Sequence, residues 1–585
     1  MMWTLITTVG AFALAEAAPA RYDVVVIGST PGGVMAAVAA ARTLDAGPDG
    51  PGARRPHVNR VALLSEGSHV GGVSSSGLGQ SDVGGCTDGC IGGLALEFFQ
   101  RNAATYTQPQ PRAPWNLEPH VAEGVFRAML DEAGVDLIEH TRVVAAASTA
   151  SNANALASVT TADGRVFAAS VFADATYAGD LLPLANLSYA VGREGIAQYN
   201  ESLAGVRGVA KGHEFDVAVD PFVRAGSAGG PLLPHVGRVA PPAGAPGSKL
   251  GEADARVQSY NFRLCVSNTP GRFVPWPKPP GYDPAHWELA RRLYAARNAS
   301  DPKHTNRGWW ASPTGNTQPV PSSVPGYDKY DANNDGAIST DVIGLSDAYP
   351  EANHSTRAAL WTAHQRYTMG LMYFLANDPG VPARKRASMR AWGLCGDEFN
   401  STDHWPPQLY IREGRRMVGD AVFTQHTAEG QKKGGGVAIG NASIGLGAYN
   451  FDAHNAQRYA CVPGHSAPAL CPPHAAAAWG QPPAFAWNGG DVETNPGVHY
   501  AIPASVLLPR AGEGAGANLV VPVAVSASHI GYATLRMEPQ FMIMGHSAGA
   551  LASIAARNGT AVQDVDAAAL QEMLDKDGQK VRPPQ

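Results

Sequence analysis

The residues best typed and spaced for chemistry are Gly28-Ser29-Thr30-Pro31-Gly32-Gly33, between the apolar run Tyr22 to Ile27 and the Ala-rich stretch Val34 to Leu44. The pattern reads as strand, tight turn and helix. Four consecutive β-branched residues suit a buried parallel strand, Gly28 allows the sharp turn, and Gly33 lets the helix start press on that strand. Backbone N–H groups at the helix start, aided by its dipole, then make a seat for a pyrophosphate. The strict pattern is G-x-G-x-x-G, and Thr30 replaces its middle glycine. An acid for a ribose hydroxyl should end the second strand, and Arg60 to Ser65 ends in Glu66, delayed by a Gly/Pro-rich loop over 45–58. Past Glu66, the doublet Gly71-Gly72 and the loop carrying Ser76 and Gly77 allow close backbone approach to a dinucleotide, and the backbone of Val143 is placed to meet adenine.

Two further clusters carry acid–base groups. His454 lies in Asp452-Ala453-His454-Asn455, and His529 lies in Ser526-Ala527-Ser528-His529, shortly before Arg536-Met537-Glu538-Pro539. Either histidine, with Arg536 nearby, can take a proton from a hydroxyl or amine, and either can equally be a structural histidine. Gly545-His546-Ser547-Ala548-Gly549 matches the nucleophile elbow of serine hydrolases, but no histidine follows it in the chain, so the required order of the triad fails. Arg412, Arg415 and Arg416 stand at helix-neighbour spacing and fit either an anion site or internal ion pairs. Cys86 and Cys90 lack the further ligands of a zinc site. Asp331 to Ser339 copies the start of a calcium loop, but Val342 stands where the bidentate Glu belongs, which favours a turn. No metal is expected.

Charged residues are 16% and the formal net charge is -6 over 585 residues, without basic runs, which argues against nucleic acid as a partner. Residues 1–20 read as a secretory signal peptide, too short to span a membrane. Six cysteines and sequons at Asn186, Asn200, Asn298, Asn353, Asn400, Asn441 and Asn558 fit a secreted chain with disulfides.

The chain resembles the FAD-dependent oxidoreductases of the glutathione-reductase-like flavoprotein superfamily. The resemblance rests on Gly28 to Gly33, Glu66 with Gly71-Gly72, Ser76 to Gly79, Ala173 to Asp180, Gly192-Arg193-Glu194, Tyr199 to Ser202 and Arg536 to Gly549. It implies FAD and redox chemistry on a small-molecule substrate, with oxygen or another acceptor taking the electrons. Ala175, Gly179, Asp180, Glu538, Gly545, Ala548 and Gly549 join the cofactor residues. Gly545 to Gly549 is expected to open a helix aimed at the pyrimidine end of the flavin. The fold class is α/β: a Rossmann-like FAD-binding domain, with a parallel sheet, helices and an antiparallel hairpin, and an inserted mixed α+β substrate domain. The boundaries are 21–202 and 506–560 for the FAD domain, 203–505 for the insertion and 561–585 for a C-terminal helix and tail. A flavoprotein that binds without catalysis is the other reading. The sequence does not say whether FAD is covalent, at a residue such as His69.

Overall fold

The computed structural model describes residues 19–45, 60–83, 89–106, 115–208, 213–300, 317–430, 442–497 and 499–582. The signal-peptide core, Cys86 and Asn441 lie outside them. β1 (Ala20–Ile27) leads into α1 (Pro31–Asp45) and β2 (Val61–Leu64). α2 (Gly93–Ala104), α3 (Pro119–Glu132), β3 (Asp136–Ile138), β4 (Val143–Ser148), β5 (Leu156–Thr161) and β6 (Val166–Asp174) follow. Val24 to Ile27 pair in parallel with Val61 to Leu64 on one side and with Val171 to Asp174 on the other. Strands flanked in this way are covered on both faces, which is why they read as unbroken β-branched runs. The expected hairpin is present, with Gly164 at φ +86° between β5 and β6.

A second, antiparallel sheet lies in the middle of the chain. It comprises β7 (Leu264–Ser267), β8 (Phe273–Pro275), β9 (Thr317–Val320), β10 (Lys329–Ala332) and, after α4 (His354–Asn377), β11 (Gly393–Cys395), in the order β8-β11-β7-β10-β9. The Cys265–Cys395 disulfide joins β7 to β11, and a second bridge joins Cys461 to Cys471. β12 (Phe451–Ala453) and β13 (Val492–Thr494) pair antiparallel. The chain then returns to the first sheet. β14 (Leu519–Val520) adds in parallel to the end of β6, and α5 (His529–Leu535), α6 (Glu538–Asn558) and α7 (Ala567–Lys576) complete the fold. No helix among the described residues is long and apolar enough to cross a membrane.

Two sequence expectations are corrected here. Gly545, Ala548 and Gly549 do not open a helix; they lie in the middle of α6, which starts at Glu538. A Cβ on Gly545 would sit 2.1 Å from the Gly32 carbonyl oxygen, and one on Gly549 would sit 2.2 Å from that of Ala36. The two glycines therefore serve helix contact, and α1 is buried at every position except Arg42 and Asp45. Arg412 to Arg416 are not helical either, since Arg416–Met417 forms a short strand against Tyr189–Ala190.

The helix contact predicts opposite outcomes for one kind of substitution. Gly549→Ala meets backbone that cannot give way, and should destabilise the chain by about 1–3 kcal/mol. Gly124→Ala, in α3, meets nothing within 4 Å and should stabilise it by about 0.5–1 kcal/mol through helix propensity. Denaturant midpoints of the two variants decide the point.

Candidate active site

The turn after β1 is held by backbone. Gly28 has φ +100°, donates its N–H to the Leu64 carbonyl at 2.9 Å, and has no room for a Cβ, which would lie 2.8 Å from the Ala175 carbonyl carbon. A Cβ on Gly33 would fall 1.9 Å from the Gly28 carbonyl oxygen. Thr30 turns its side chain inward: Oγ1 accepts the Gly33 N–H at 3.1 Å and donates to the Ala175 carbonyl at 2.8 Å. It thus caps α1 while leaving the outer face of the turn clear, which explains why threonine replaces glycine there. Pro31, at the first helical position, gives up only an N–H that the helix would leave unbonded.

The predicted ribose acid, Glu66, stands just beyond β2, exposed, 3.3 Å from His354 Nδ1 and 3.9 Å from Arg142 Nε. The Thr141 N–H bonds to the Ser65 carbonyl at 2.7 Å, which brings the strand opening at Val143 alongside. Gly71 (φ +101°) and Gly72 (φ +51°) fold the next loop back, with the Gly71 N–H on the Ser29 carbonyl at 2.8 Å. His69 pins this loop, its Nδ1 3.0 Å from Glu123 and its Nε2 2.8 Å from Ser76 Oγ. Both His69 ring nitrogens are thus engaged by protein groups. Ser76 and Gly77 face protein: Ser76 pairs with His69, and a Cβ on Gly77 would lie 2.2 Å from the Arg263 carbonyl oxygen. Across the crevice, Gly179 (φ +62°) precedes Asp180, which receives Arg357 at 2.7 Å and Arg415 at 3.3 Å.

Tyr177, within the stretch Ala173 to Asp180, links the two halves of the crevice. Its hydroxyl accepts the Val73 N–H at 3.0 Å and donates to Glu538 Oε1 at 2.8 Å in the first turn of α6. Burial pushes the Glu538 carboxyl up to about 8. Four buried polar atoms in this region have no partner among the described residues: Ser74 Oγ, Glu538 Oε2 and both side-chain ends of Gln540. Gln540 neighbours Phe541, whose carbonyl oxygen lies 3.0 Å from a Cβ built on Gly32. Such atoms are costly to bury unless a ligand satisfies them. A flavin ring bearing carbonyls and N–H groups suits them, and the glycine-lined turn suits its diphosphate.

The family comparison agrees. The family described as FAD dependent oxidoreductase matches residues 23–574. The chain belongs to that family. It is therefore an FAD-binding oxidoreductase. No curated protein matches it. Among solved structures, it is similar to L-proline dehydrogenase from P. horikoshii, at 14% identity and a TM-score of 0.22, covering 30% of this chain and 59% of that one. It is also similar to OxyS anhydrotetracycline hydroxylase from Streptomyces rimosus, at 16% and 0.20, covering 35% and 38%. A third is a flavin-containing monooxygenase from Stenotrophomonas maltophilia, at 14% and 0.18, covering 32% and 44%. In each case the match spans less than two thirds of the other chain, and likeness at this level says nothing about substrate.

A polar cavity of about 540 Å³ adjoins the crevice, and Arg536 and His454 both line it. Arg536 sits between α5 and α6, with Nη1 3.2 Å from the Tyr410 hydroxyl and Nη2 2.7 Å from the Asp452 carbonyl. His454 directs Nδ1 at Asp341 Oδ2, 2.7 Å away, and its Nε2 lies 3.5 Å from Asp452 Oδ1. Burial, and then Arg412, lower the imidazole to about 4 and keep it neutral. Asp341 is buried as well, yet Arg412 at 2.8 Å, with His454, holds its carboxyl well below the usual range.

His529 is a different case. It is not among the lining residues; its Nδ1 lies 2.9 Å from Glu413, within a buried knot formed by Glu413, Arg416 and Glu194. The neighbouring serine that made it look like a site has a structural use, since Ser528 Oγ caps α5 by accepting the Gly531 N–H at 2.9 Å. The three arginines expected as a cluster separate: Arg412 goes to Asp341, Arg415 to Glu351 and Asp180, and Arg416 to Glu413 and Glu194. Asp331 of the calcium-like loop is buried in an ion pair with Arg263. Ser547 is buried in mid-helix and donates to the Ile543 carbonyl at 2.9 Å, so it is not an exposed nucleophile.

The Glu538 carboxyl yields a pH prediction. Its folded value lies above its unfolded one, so the folded chain binds more protons between the ordinary glutamate value and about 8, and stability must fall as pH rises through that window. Urea midpoints of the FAD-free chain should fall over that range, and Glu538→Gln should flatten the slope.

Proposed function

We propose that the enzyme oxidises a small hydrophilic organic substrate bound in the cavity beside Arg536, with His454 accepting the proton released from its hydroxyl or amine. When bound, FAD would supply the two-electron acceptor that this oxidation needs, with dioxygen or another acceptor as the final sink. The observation that carries this reading is the Asp341–His454 pair. A carboxylate on Nδ1 fixes the ring and its tautomer, leaving Nε2 to act toward the cavity, and a neutral imidazole is ready to accept a proton. Asp341 would also stabilise the imidazolium that forms, while Arg536 and Tyr410 orient the substrate. Glu66, Gly28 to Gly33, Gly71-Gly72, Val143 and Asp180 would hold the dinucleotide, with Arg357 and Arg415 supplying positive charge next to Asp180.

The segments 21–202 and 506–560 form the cofactor domain in this reading, and 203–505 the substrate domain. Two disulfides, a leader-like N-terminus and sequons whose Asn186, Asn200, Asn353, Asn400 and Asn558 are exposed support passage through the secretory route.

His454→Gln should retain the visible flavin spectrum while slowing anaerobic flavin reduction by about 10²–10⁴-fold. His529→Gln should change folding stability more than that rate. In the unaltered enzyme the rate should hold steady through neutral pH and drop as pH falls toward about 4, where His454 becomes protonated. An undiminished reduction rate in His454→Gln removes the proton role.

A further inference from the structure

The charges around the cavity do not balance. Its three guanidinium groups are each matched by one carboxylate: Arg263 by Asp331, Arg412 by Asp341 and Arg536 by Asp452. Asp82, Asp335, Asp491 and Glu493 also line the cavity; Asp335 feels the positive side chains of Arg297 and Lys385, whereas Asp82, Asp491 and Glu493 have no ion-pair or side-chain hydrogen-bond partner among the described residues. Asp491 is the most telling, because it is only 7% exposed and still unpartnered. Burial, followed by Asp452, Asp341 and Glu493, pushes its carboxyl well above the usual range, so a cation bound beside it would favour its charged form. A buried carboxylate in that position costs stability until a cation or donor arrives.

The chemistry of that cation can be narrowed. Among the described residues, the only three metal-type ligands that converge within 4.8 Å are Glu118, His120 and Glu398, at a different place. The Lys329 ammonium already lies 2.7 Å from Glu118 and 2.8 Å from Glu398 there. No three of the cavity acids bring ligand oxygens within 4.8 Å of one another, an arrangement that suits an organic cation with distributed charge or hydrogen-bond donors better than a metal ion. The lining is mainly polar, with Tyr410 and Tyr449 as its aromatic members. An apolar amine would find little to pack against, and an anionic substrate would meet unpaired carboxylates.

We infer that the substrate is a hydrophilic ammonium compound, an amino sugar or a polyamine, held by Asp491, Asp82 and Glu493. This rests on the oxidation proposed above. A C–H bond next to a hydroxyl or a deprotonated amine breaks, its hydride goes to flavin N5, and the O–H or N–H proton goes to His454. A carbonyl or imine remains, and the electron pair leaves to dioxygen or another acceptor.

Binding to the FAD-loaded enzyme is measured by calorimetry, separately from turnover, with glucosamine, spermidine, glucose and gluconate as probes. At least one of the two amines should bind on the order of tenfold or more tightly than glucose, and gluconate should not bind. Asp491→Asn should weaken that amine by a similar factor without changing glucose, and Glu493→Gln, at an exposed position, is the second variant should the first not fold. Which amine binds separates the sugar from the polyamine. Absence of binding by both amines, or equal affinity for glucose, overturns the inference. An amine that binds but never bleaches the flavin counts against the oxidation proposal and leaves the ligand class standing.

Discussion

The architecture depends on one contact made almost without side chains. Where α1 meets α6, Gly545 and Gly549 lie directly over the carbonyl oxygens of Gly32 and Ala36, so two helices from opposite ends of the chain approach backbone to backbone. This closeness brings the first turn of α6 over the fingerprint turn. Glu538 then reaches Tyr177, the Phe541 backbone comes against Gly32, and Arg536 projects to the cavity wall. A separation larger by one methyl group would displace all three. Dispersion between closely packed atoms is weak for each pair and large in sum, and here it also sets the distance between the fingerprint turn and the polar cavity.

Charge ties the central segment to this frame. Arg416 and His529 converge on Glu413 and Glu194, Arg193 pairs with Asp254, and Arg357 reaches Asp180. Paired buried charges contribute little net stability, but loss of one partner is expensive. Such ties fix orientation more than they add energy. They suit a junction that must hold the cavity in register with the crevice.

The crevice was legible in the sequence because its demands are local. Gly28, Gly33 and Gly71-Gly72 hold backbone angles or contacts that few other residues tolerate, so spacing alone marks them. Thr30 looked like a flaw in the pattern until its inward hydrogen bonds were seen. The cavity was only half legible. His454 and His529 carry similar polar neighbours, yet one cluster caps a helix and the other faces open space, a difference of direction that spacing does not encode. Asp341 lies 113 positions from His454, and Tyr177 lies 361 from Glu538. Partners so distant in the chain become visible only after folding. The glycines of α6 were expected to open a helix and instead lie within one, because a Gly-x-Ser-x-Gly run looks the same at a helix start as at a crossing point.

The last strand of the parallel sheet, β14, has a consequence for biosynthesis. It arrives more than three hundred residues after β6, whose far half it covers. Until the ribosome has made that segment and α6 behind it, the nascent chain carries an incomplete sheet with an open edge. Such an edge is a template for wrong pairing. The crevice gains its second wall, α6, only when the last tenth of the chain has been made, so the site is completed late in synthesis.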